Sequence, residues 1–287
     1  LSPEAPIPIL SYEKEMFQLG GVGNVAKNIN DIGAYCTLIT ITGVDNASKK
    51  IKQLISQKKN IKPKLISIKN FKTPIKKRYI KNSTHLLRVD HENNAYNLKK
   101  NDENKIKSIL KKNIIGSDLI ILSDYNKGFL NKSLIKEIVK IARENNRFII
   151  ADPKKINFSH YKNINIITPN QKEISDSAKT KLKSEKEIIN FSRKIMNKFN
   201  INEVLVTRAN KGMLLIGPKY VKKIKANAKK VIDVTGAGDT VISILGIMKA
   251  MGKNTTDASI LANSAAGIII GKHGTESLSL NELISRQ

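Results

Sequence analysis

The octapeptide "DVTGAGDT" at residues 233–240 decides how the rest of the sequence is interpreted. The extended segment "KKVIDVT" leads into it, and the apolar run "VISILGIM" follows it directly. This order predicts that the "GAG" amides lie at the N-terminus of a buried helix, where free N–H groups and the helix dipole favour an anion. Asp239 then lies in the first turn, either as a helix cap or as a general base beside that anion. Spacing alone leaves both roles open.

The middle of the chain alternates apolar runs with helical patterns. The runs that predict buried strands lie at 36–42, 118–124, 147–152, 164–170 and 203–208. A helix is predicted from Asn131, because its apolar residues recur on one face: Leu134, Ile135, Ile138 and Ile141. Segments 238–251 and 255–271 predict two further buried helices. This alternation predicts an α/β fold with a mostly parallel sheet flanked by helices.

The predicted strands end in polar residues at their C-terminal side, in the sequences "SD", "ADPK", "TPN" and "TR". Open α/β sheets bind ligands at that edge, so these ends are expected to line a site. Residues 63–92 differ, because short runs alternate polar with apolar residues and no helix lies between them. They predict an antiparallel ribbon or lid, to which we add the N-terminal segment 1–19. The 287 residues are otherwise expected to form one domain.

Composition narrows the class of protein. With 51 Lys and Arg against 24 Asp and Glu, the formal net charge is +27. The lysines are spread over almost every segment, aromatic residues make up only 5%, and Trp is missing, so a nucleic-acid partner is not expected. An anionic small substrate is compatible with the charge. The single cysteine, Cys36, excludes an internal disulfide. No long apolar span or signal peptide is recognisable, which predicts a cytoplasmic protein without a membrane partner.

Two common phosphate motifs fit poorly. The P-loop pattern is missing, since "GIIIGKH" at 267–273 has one spacer too few. "GVGNVA" at 21–26 matches a loose dinucleotide pattern but follows the polar "SYEKEMFQLG" instead of a buried strand, so a dinucleotide-binding oxidoreductase remains a remote alternative. In the other interpretation, Gly20, Gly21 and Gly23 allow close backbone approach to a ligand and Asn24 faces a polar substrate.

Several motifs occur together in one order: "GGVGNVAKNINDIGA" at 20–34, "LVTRANKGM", "DVTGAGDT" and "ANSAAGIIIGKHGT". They resemble the signatures of the ribokinase-like (PfkB) sugar kinases over essentially the whole chain. "THLLRVDHE", "ILSDYNKG", "ADPKKINFSHY" and "IITPNQKE" further resemble the kinase part of bacterial D-glycero-β-D-manno-heptose 7-phosphate kinases. The resemblance implies ATP- and Mg²⁺-dependent phosphorylation of the anomeric C1 hydroxyl of that phosphosugar, which supplies the heptose of lipopolysaccharide.

The resemblance also implies roles for individual residues. Asp239 matches the catalytic base, and the anion hole corresponds to Gly236, Ala237 and Gly238. The ATP side corresponds to Asn170, Gln171, Lys172, Glu173, Thr207, Arg208, Gly212 and Asn263, with Glu173 acting indirectly on Mg²⁺. The sugar side corresponds to Gly20, Gly21 and Asn24, and candidate ligands for the 7-phosphate are Arg88, Lys127 and Lys154. Because lysines abound, any one of these cations is also interpretable as a solvated side chain. Their convergence on one pocket favours a phosphosugar; dispersal favours a neutral sugar such as ribose or fructose. A kinase of another sugar phosphate, such as fructose or tagatose phosphate, is the other alternative within the family.

The sequence departs from the family in a few places. The family begins with a strand reading roughly G-D-x-M-L-D, whereas this sequence starts at "LSPEAP", so a first strand and one sugar ligand are expected to be missing and the activity of these residues alone to be weak or nil. Asn126 and Lys155 stand where relatives have Gly, and Asn tolerates the left-handed conformation. The sequence stops at "NELISRQ", where many relatives continue into a nucleotidyltransferase domain. The family also implies a homodimer formed through the lid.

Overall fold

A computed structural model describes residues 3–6, 9–81, 84–92, 96–154, 157–227, 231–272, 274 and 276–285. Lys155 lies outside these described residues. The α-helices within them are α1 Val22–Asp31, α2 Asn46–Ser56, α3 Lys100–Ile114, α4 Lys132–Glu144, α5 Gln171–Ala178, α6 Glu185–Phe199, α7 Ala237–Ala250, α8 Thr255–Ile269 and α9 Leu280–Ile284. The strands are β1 Cys36–Thr42, β2 Ile61–Ser67, β3 Ile75–Lys81, β4 Thr84–His91, β5 Leu119–Ser123, β6 Phe148–Asp152, β7 Ile166–Ile167, β8 Glu203–Thr207, β9 Met213–Ile216 and β10 Val221–Ile224.

The main sheet has six strands in the order β10-β9-β8-β7-β6-β5. Strands β5 to β8 are parallel, and β9 and β10 add to the edge in antiparallel register. Strand β1 pairs with β2 in parallel, and β3 pairs with β4 as an antiparallel hairpin. The predicted α/β fold with a mostly parallel sheet is therefore confirmed.

The sheet is covered on both faces, which explains the near-continuous apolar runs of its strands. Successive residues of β6 point to opposite sides: Ile149 lies in one apolar core and Ile150 in the other, both fully buried. Helix α4 lays Leu134, Ile135 and Ile138 against the first core, as its 3.6-residue pattern predicts. Helices α7 and α8 are apolar on most sides and fill the second core.

Two regions differ from the sequence prediction. Residues 61–67 were expected in part to join the lid ribbon, but β2 pairs in parallel with β1, and only β3 and β4 form the hairpin. An alternating pattern suits an edge strand of a parallel pair as well as a ribbon strand. Strand β7 covers two residues of the predicted 164–170, where Pro169 lacks the N–H that would continue the ladder. No strand or helix occurs in 3–6 or 9–19.

A large cavity of about 2830 Å³ lies beside β1 and β5. Its lining includes Ile39 of β1 and Ile120 of β5, and it extends to the first turn of α7. Among the described residues, no helix combines the length and apolarity needed to cross a bilayer.

Candidate active site

The N-terminal turns of α1 and α7 meet beside the large cavity. Helix α1 begins after Gly21, which has φ +57° and ψ −138°, and α7 begins after Gly236, which has φ +81°. Asn24 Nδ2 in the first turn of α1 donates a hydrogen bond of 2.8 Å to Asp239 Oδ2 in the first turn of α7. Residues 215 positions apart are thus joined at one point.

Polar contacts behind this point fix the two helices against each other. Ser243 Oγ of α7 donates to the Val25 carbonyl of α1 at 3.2 Å, and Asn28 Nδ2 donates to Thr240 Oγ1 at 3.4 Å. Asn24 and Ser243 are fully buried. Because buried polar groups are costly without partners, these bonds fix one packing arrangement and hold Asn24 next to Asp239.

The Asp239 carboxylate has a second partner. Tyr125, in the loop after β5, donates from its hydroxyl to Asp239 Oδ1 at 2.5 Å. Burial raises the pKa of Asp239, while the hydrogen bonds from Asn24 and Tyr125 and the charge of Lys154 oppose that rise. Helix α7 has no side-chain cap hydrogen bond at its N-cap residue, Gly236. Both oxygens of Asp239 therefore bind side chains from other elements, an arrangement that favours the base interpretation over the cap.

The first turn of α7 is open at Gly238, which lines the large cavity. A Cβ atom at Gly238 would meet no other atom within 4 Å. Asp233 shapes the loop by accepting from Thr235 N at 2.9 Å and Gly274 N at 3.0 Å, and it contacts His85 Nε2 of the hairpin at 3.2 Å. An anion can therefore approach the N-terminus of α7 without steric hindrance from the described residues.

Three charged side chains form a second cluster at the sheet edge. Lys154 Nζ lies 3.3 Å from Asp152 Oδ2 and 2.7 Å from Glu173 Oε1. Burial raises the pKa of Asp152 to about 7, with the carboxylates of Glu173 and Asp239 adding to the rise. Burial lowers the pKa of Lys154, but the negative charges of Asp152 and Glu173 outweigh this effect and raise it. Lys154 therefore carries its charge at neutral pH and acts on both Asp152 and Asp239.

Most of the residues expected on the ATP side form local hydrogen bonds, and one of them, Asn263, lines a second cavity. Asn170 and Glu173 form a capping box at the start of α5, with hydrogen bonds of 2.9 and 2.8 Å. Arg208 is buried and donates to Glu185 Oε1 at 2.8 Å. Gly212 has φ +73°, and a Cβ there would lie 2.0 Å from the Ile224 carbonyl oxygen, so only glycine fits.

The remaining ATP-side candidates lie further apart. Thr207 ends β8 and bridges to Asn170. Gln171 Nε2 donates to the Leu182 carbonyl at 3.4 Å, and exposed Lys172 pairs with Asp176 at 2.6 Å. Asn263 donates to the Lys225 carbonyl at 2.8 Å and lines a smaller cavity of about 510 Å³.

The three candidate phosphate ligands all line the large cavity, together with Gly20, Gly21, Gly236, Gly238 and Asp239. Each already has an acidic partner. Arg88 Nε contacts Asp90 Oδ1 at 2.9 Å, and Lys127 Nζ contacts Glu92 Oε1 at 2.6 Å. The hydrogen bond from Lys127 lowers the pKa of Glu92. A phosphate bound here would have to compete with carboxylates.

Sequence reasoning missed Tyr125 and Asp152. Both belong to strand ends that were recognised as polar, "SDY" after β5 and "AD" at the end of β6, but neither received a role. Asn126, next to Tyr125, has φ +54°, as its tolerance of the left-handed conformation predicts. The signal that could have indicated Tyr125 is its place two residues beyond a parallel strand.

The model of the pfkB family of carbohydrate kinases matches residues 12–282. The chain belongs to this family. Curated relatives include the bifunctional protein HldE of Rhodopseudomonas palustris strain BisB18, 35% identical over 99% of this chain, and that of Blochmanniella pennsylvanica, 38% identical over 99% of this chain. The chain spans 58% of the length of each of these two relatives. The predicted carbohydrate-kinase class is confirmed at the level of the family.

Solved structures show the same fold. Phosphofructokinase-2 from Escherichia coli in complex with potassium has a TM-score of 0.83 at 18% identity, covering 98% of this chain and 91% of that one. Ribokinase of Arabidopsis thaliana complexed with ribose and ATP has a TM-score of 0.76 at 17% identity, covering 96% and 92%. At these identities the likeness supports the architecture alone.

The site offers groups that suit a nucleotide and its metal. The open N-terminus of α7 fits a phosphate group, and Asn24 Oδ1 is a buried acceptor without a hydrogen-bond partner among the described residues, which fits a donor hydroxyl. No group of three or more His, Cys, Asp or Glu side chains in the described part of the chain could hold a metal. Mg²⁺ bound with nucleotides usually takes one or two carboxylates plus water and phosphates, and Asp152 and Glu173 fit that smaller requirement.

Proposed function

We propose that this chain transfers the γ-phosphoryl group of ATP to the C1 hydroxyl of D-glycero-D-manno-heptose 7-phosphate, giving the 1,7-bisphosphate and ADP. The observation that carries the proposal is the Asp239 carboxylate, bound by Asn24 and Tyr125 beside the open N-terminus of α7. The resemblance of "THLLRVDHE" and "IITPNQKE" to the heptose 7-phosphate kinases supports the choice of heptose. Phosphoryl transfer of this kind depends mainly on positioning and charge neutralisation.

In the proposed mechanism Asp239 accepts the proton of the C1 hydroxyl. The C1 oxygen of the sugar attacks the γ-phosphorus of ATP, and the bond between that phosphorus and the oxygen that leaves with ADP breaks. The amides of Gly236 and Gly238 stabilise the charge of the phosphoryl group in transit, and the Ala237 amide, which donates to the Val234 carbonyl at 3.3 Å, joins them by leaving that carbonyl. Asn24 orients the acceptor sugar through its free Oδ1 atom, with Gly20 and Gly21 allowing close approach. Mg²⁺, when bound with ATP, supplies neutralisation of phosphate charge, and Asp152 and Glu173 would hold it through water.

We propose that the ATP side is formed by the capping box of α5 with Gln171 and Lys172, the turn from Thr207 through Arg208 to Gly212, and Asn263 at the smaller cavity. The loop amides and the helix N-terminus of α5 are suited to phosphate oxygens. The smaller cavity, with Lys222 and Lys225 in its lining, is suited to a nucleotide. Use of ATP and a phosphosugar supports a cytoplasmic location.

Recognition of the 7-phosphate is proposed for Arg88, Lys127 and Lys154, which line different parts of the large cavity and would have to converge on the bound phosphate. Two or three cations around a phosphate dianion are favourable. One observation favours a second candidate, a kinase of a neutral sugar: each of these cations is already paired with a carboxylate.

An activity panel separates these candidates. ATP consumption is measured with heptose 7-phosphate, fructose 6-phosphate, tagatose 6-phosphate, ribose and fructose, and the product is identified by ³¹P NMR. The assay is run on the 287-residue chain, with Asp239→Asn as the control. Stimulation by heptose 7-phosphate alone supports the proposal. Stimulation only by unphosphorylated sugars, or none by any sugar, contradicts it.

We also propose that residues 1–287 form one kinase domain with the hairpin 75–91 as its lid, and that two copies pair through this lid. Exposed apolar side chains on the hairpin support pairing: Ile75, Ile80, Leu86 and Leu87. Sedimentation should show a dimer that Leu86→Ser with Leu87→Ser converts to a monomer. A monomeric parent protein would contradict this part of the proposal.

A further inference from the structure

We propose that Tyr125 is a positioning residue of the phosphoryl transfer, which holds the Asp239 carboxylate in the orientation where it meets the acceptor hydroxyl. The role rests on the proposed function, because only there does Asp239 act as a base. Tyr125 itself forms no bond to the reacting atoms in this proposal and acts through Asp239.

Two hydrogen bonds hold the Asp239 carboxylate in one orientation. Asp239 Oδ1 accepts from the Tyr125 hydroxyl at 2.5 Å and Oδ2 accepts from Asn24 Nδ2 at 2.8 Å. The two donors come from the loop after β5 and from α1, so two elements other than α7 hold the carboxylate. Two bonds to two different oxygens fix the rotation of the carboxylate plane. A carboxylate oxygen accepts more than one hydrogen bond, so each still has capacity for a substrate hydroxyl.

The ring of Tyr125 is itself held in place. Its Cε2 atom lies 3.6 Å from the position that a Cβ at Gly21 would occupy, an ordinary contact distance. The ring therefore packs against the glycine turn that begins α1. The same turn places Asn24, so both donors to Asp239 depend on one short segment.

The groups around Asp239 also set how tightly its carboxylate binds a proton. The groups that face it are Asn24 from α1, Tyr125 from the loop after β5, and Asp152 and Lys154 from the end of β6. Burial and the adjacent Asp239 carboxylate raise the pKa of Tyr125, so the phenol keeps its proton and remains a donor. Burial raises the pKa of Asp239 and the bond from Tyr125 opposes this. Loss of the phenol hydroxyl should therefore make Asp239 bind a proton more tightly.

The test compares Tyr125→Phe with a matched control. Tyr161 donates to Asp124 Oδ2 at 2.6 Å in a second buried tyrosine–aspartate bond, and neither residue is among the groups that shift the pKa of Asp239. We expect Tyr125→Phe to move the acidic limb of the kcat/KM profile to higher pH by about one unit, with kcat/KM about tenfold lower below that limb. Tyr161→Phe should leave the limb in place while lowering the melting temperature.

A second readout needs no substrate. In protein labelled with ¹³C at aspartate carboxyls, the Asp239 resonance is identified by its loss in Asp239→Asn, and its titration midpoint should rise in Tyr125→Phe. Site-specific 3-fluorotyrosine at position 125 keeps the ring size but strengthens the donor, so it should move both the midpoint and the acidic limb downward. This variant serves if Tyr125→Phe fails to fold.

The outcomes separate this inference from the proposed function. A shifted Asp239 titration in a protein that phosphorylates no sugar would overturn the proposed kinase reaction, and with it the positioning role, while leaving the coupling of the two side chains intact. An unchanged titration in an active enzyme would overturn the role of Tyr125 alone. Equal shifts in Tyr125→Phe and Tyr161→Phe would also overturn it, because the effect would then be a general loss of packing.

Discussion

The contacts of Asp239 and those of the outer cations Arg88 and Lys127 differ in burial. Asn24, which binds Asp239, is fully buried, whereas the side chain of Arg88, which binds Asp90, is 57% exposed. Hydrogen bonds to a buried charge are strong because water cannot replace them, while exposed ion pairs are screened and contribute little. Single changes at the inner contacts should therefore affect catalysis strongly. Changes at the outer pairs should affect mainly the binding of an incoming anion.

The largest expected effect is that of Asp239→Asn. Loss of a general base should lower kcat by about 10²–10⁴-fold, while the melting temperature stays the same or rises because a buried carboxyl group is removed. Steady-state kinetics and thermal unfolding measure the two effects. A variant that keeps its turnover would indicate that Asp239 serves as a structural group and would remove the contrast between the two regions.

Next in size is Gly21→Ala. Gly21 has φ +57° and ψ −138°, a conformation that L side chains rarely adopt, so alanine should cost about 1–3 kcal/mol of unfolding free energy. Because the turn supports both Asn24 and Tyr125, kcat should fall as well. Gly252→Ala is the matched control: it has φ +77° at the far end of α7 and should lose stability without losing kcat. Equal loss of activity in both variants would contradict the role given to the Gly21 turn.

Asp152→Asn tests the charged cluster through pH. The pKa of Asp152 is about 7 in the folded protein, compared with 3.8 for an exposed aspartate such as that of the unfolded chain. The folded state therefore binds the carboxyl proton of Asp152 more tightly than the unfolded state does. The contribution of Asp152 to stability is therefore greatest below about pH 4 and falls as the pH rises to about 7. Relative to the parent protein, Asp152→Asn should gain on the order of 2–4 kcal/mol between these limits.

Urea unfolding near pH 5 and near pH 8 measures this gain, with Lys154 still paired with Glu173 in the variant. A difference between variant and parent protein that is the same at both pH values would show that Asp152 stays ionised throughout.

The smallest effects on the fold are expected from Arg88→Met and Lys127→Met. Each should raise KM for the phosphosugar about tenfold, equivalent to about 1.4 kcal/mol, with kcat nearly unchanged. The unfolding free energy should change by less than about 0.5 kcal/mol. Lys58→Met is the control, since Lys58 pairs with Asp31 at 2.9 Å and does not line the large cavity. If KM rises only for ATP, these cations serve the nucleotide and not the sugar phosphate.

Much of the fold was predictable from pattern. The helix starting near Asn131 and the strand 36–42 follow from apolar periodicity, which burial enforces along the chain. The pattern of β2 predicts a lid strand, but alternation of polar and apolar residues fits a parallel edge strand equally well. Only long-range pairing with β1, beyond the reach of local pattern, decided between the two.

The candidate site was predictable in its parts and not in its contacts. The "GAG" turn and Asp239 are recognisable from local sequence because a glycine turn before an apolar helix has few other uses. Tyr125 carried no such signal, since a tyrosine after a strand is common on any surface. Its role depends on a bond to a residue 114 positions away.

By itself the sequence determined the alternation of strand and helix, the anion-suited turn before α7 and membership of the kinase family, because these depend on local periodicity and short motifs. The tertiary structure alone decided that α1 packs on α7, that Asn24 and Tyr125 both bind Asp239, and that Lys154 lies between Asp152 and Glu173. The physical reason is that a buried charge takes its pKa and orientation from neighbours that packing brings together. Such neighbours leave no mark at any fixed spacing along the chain.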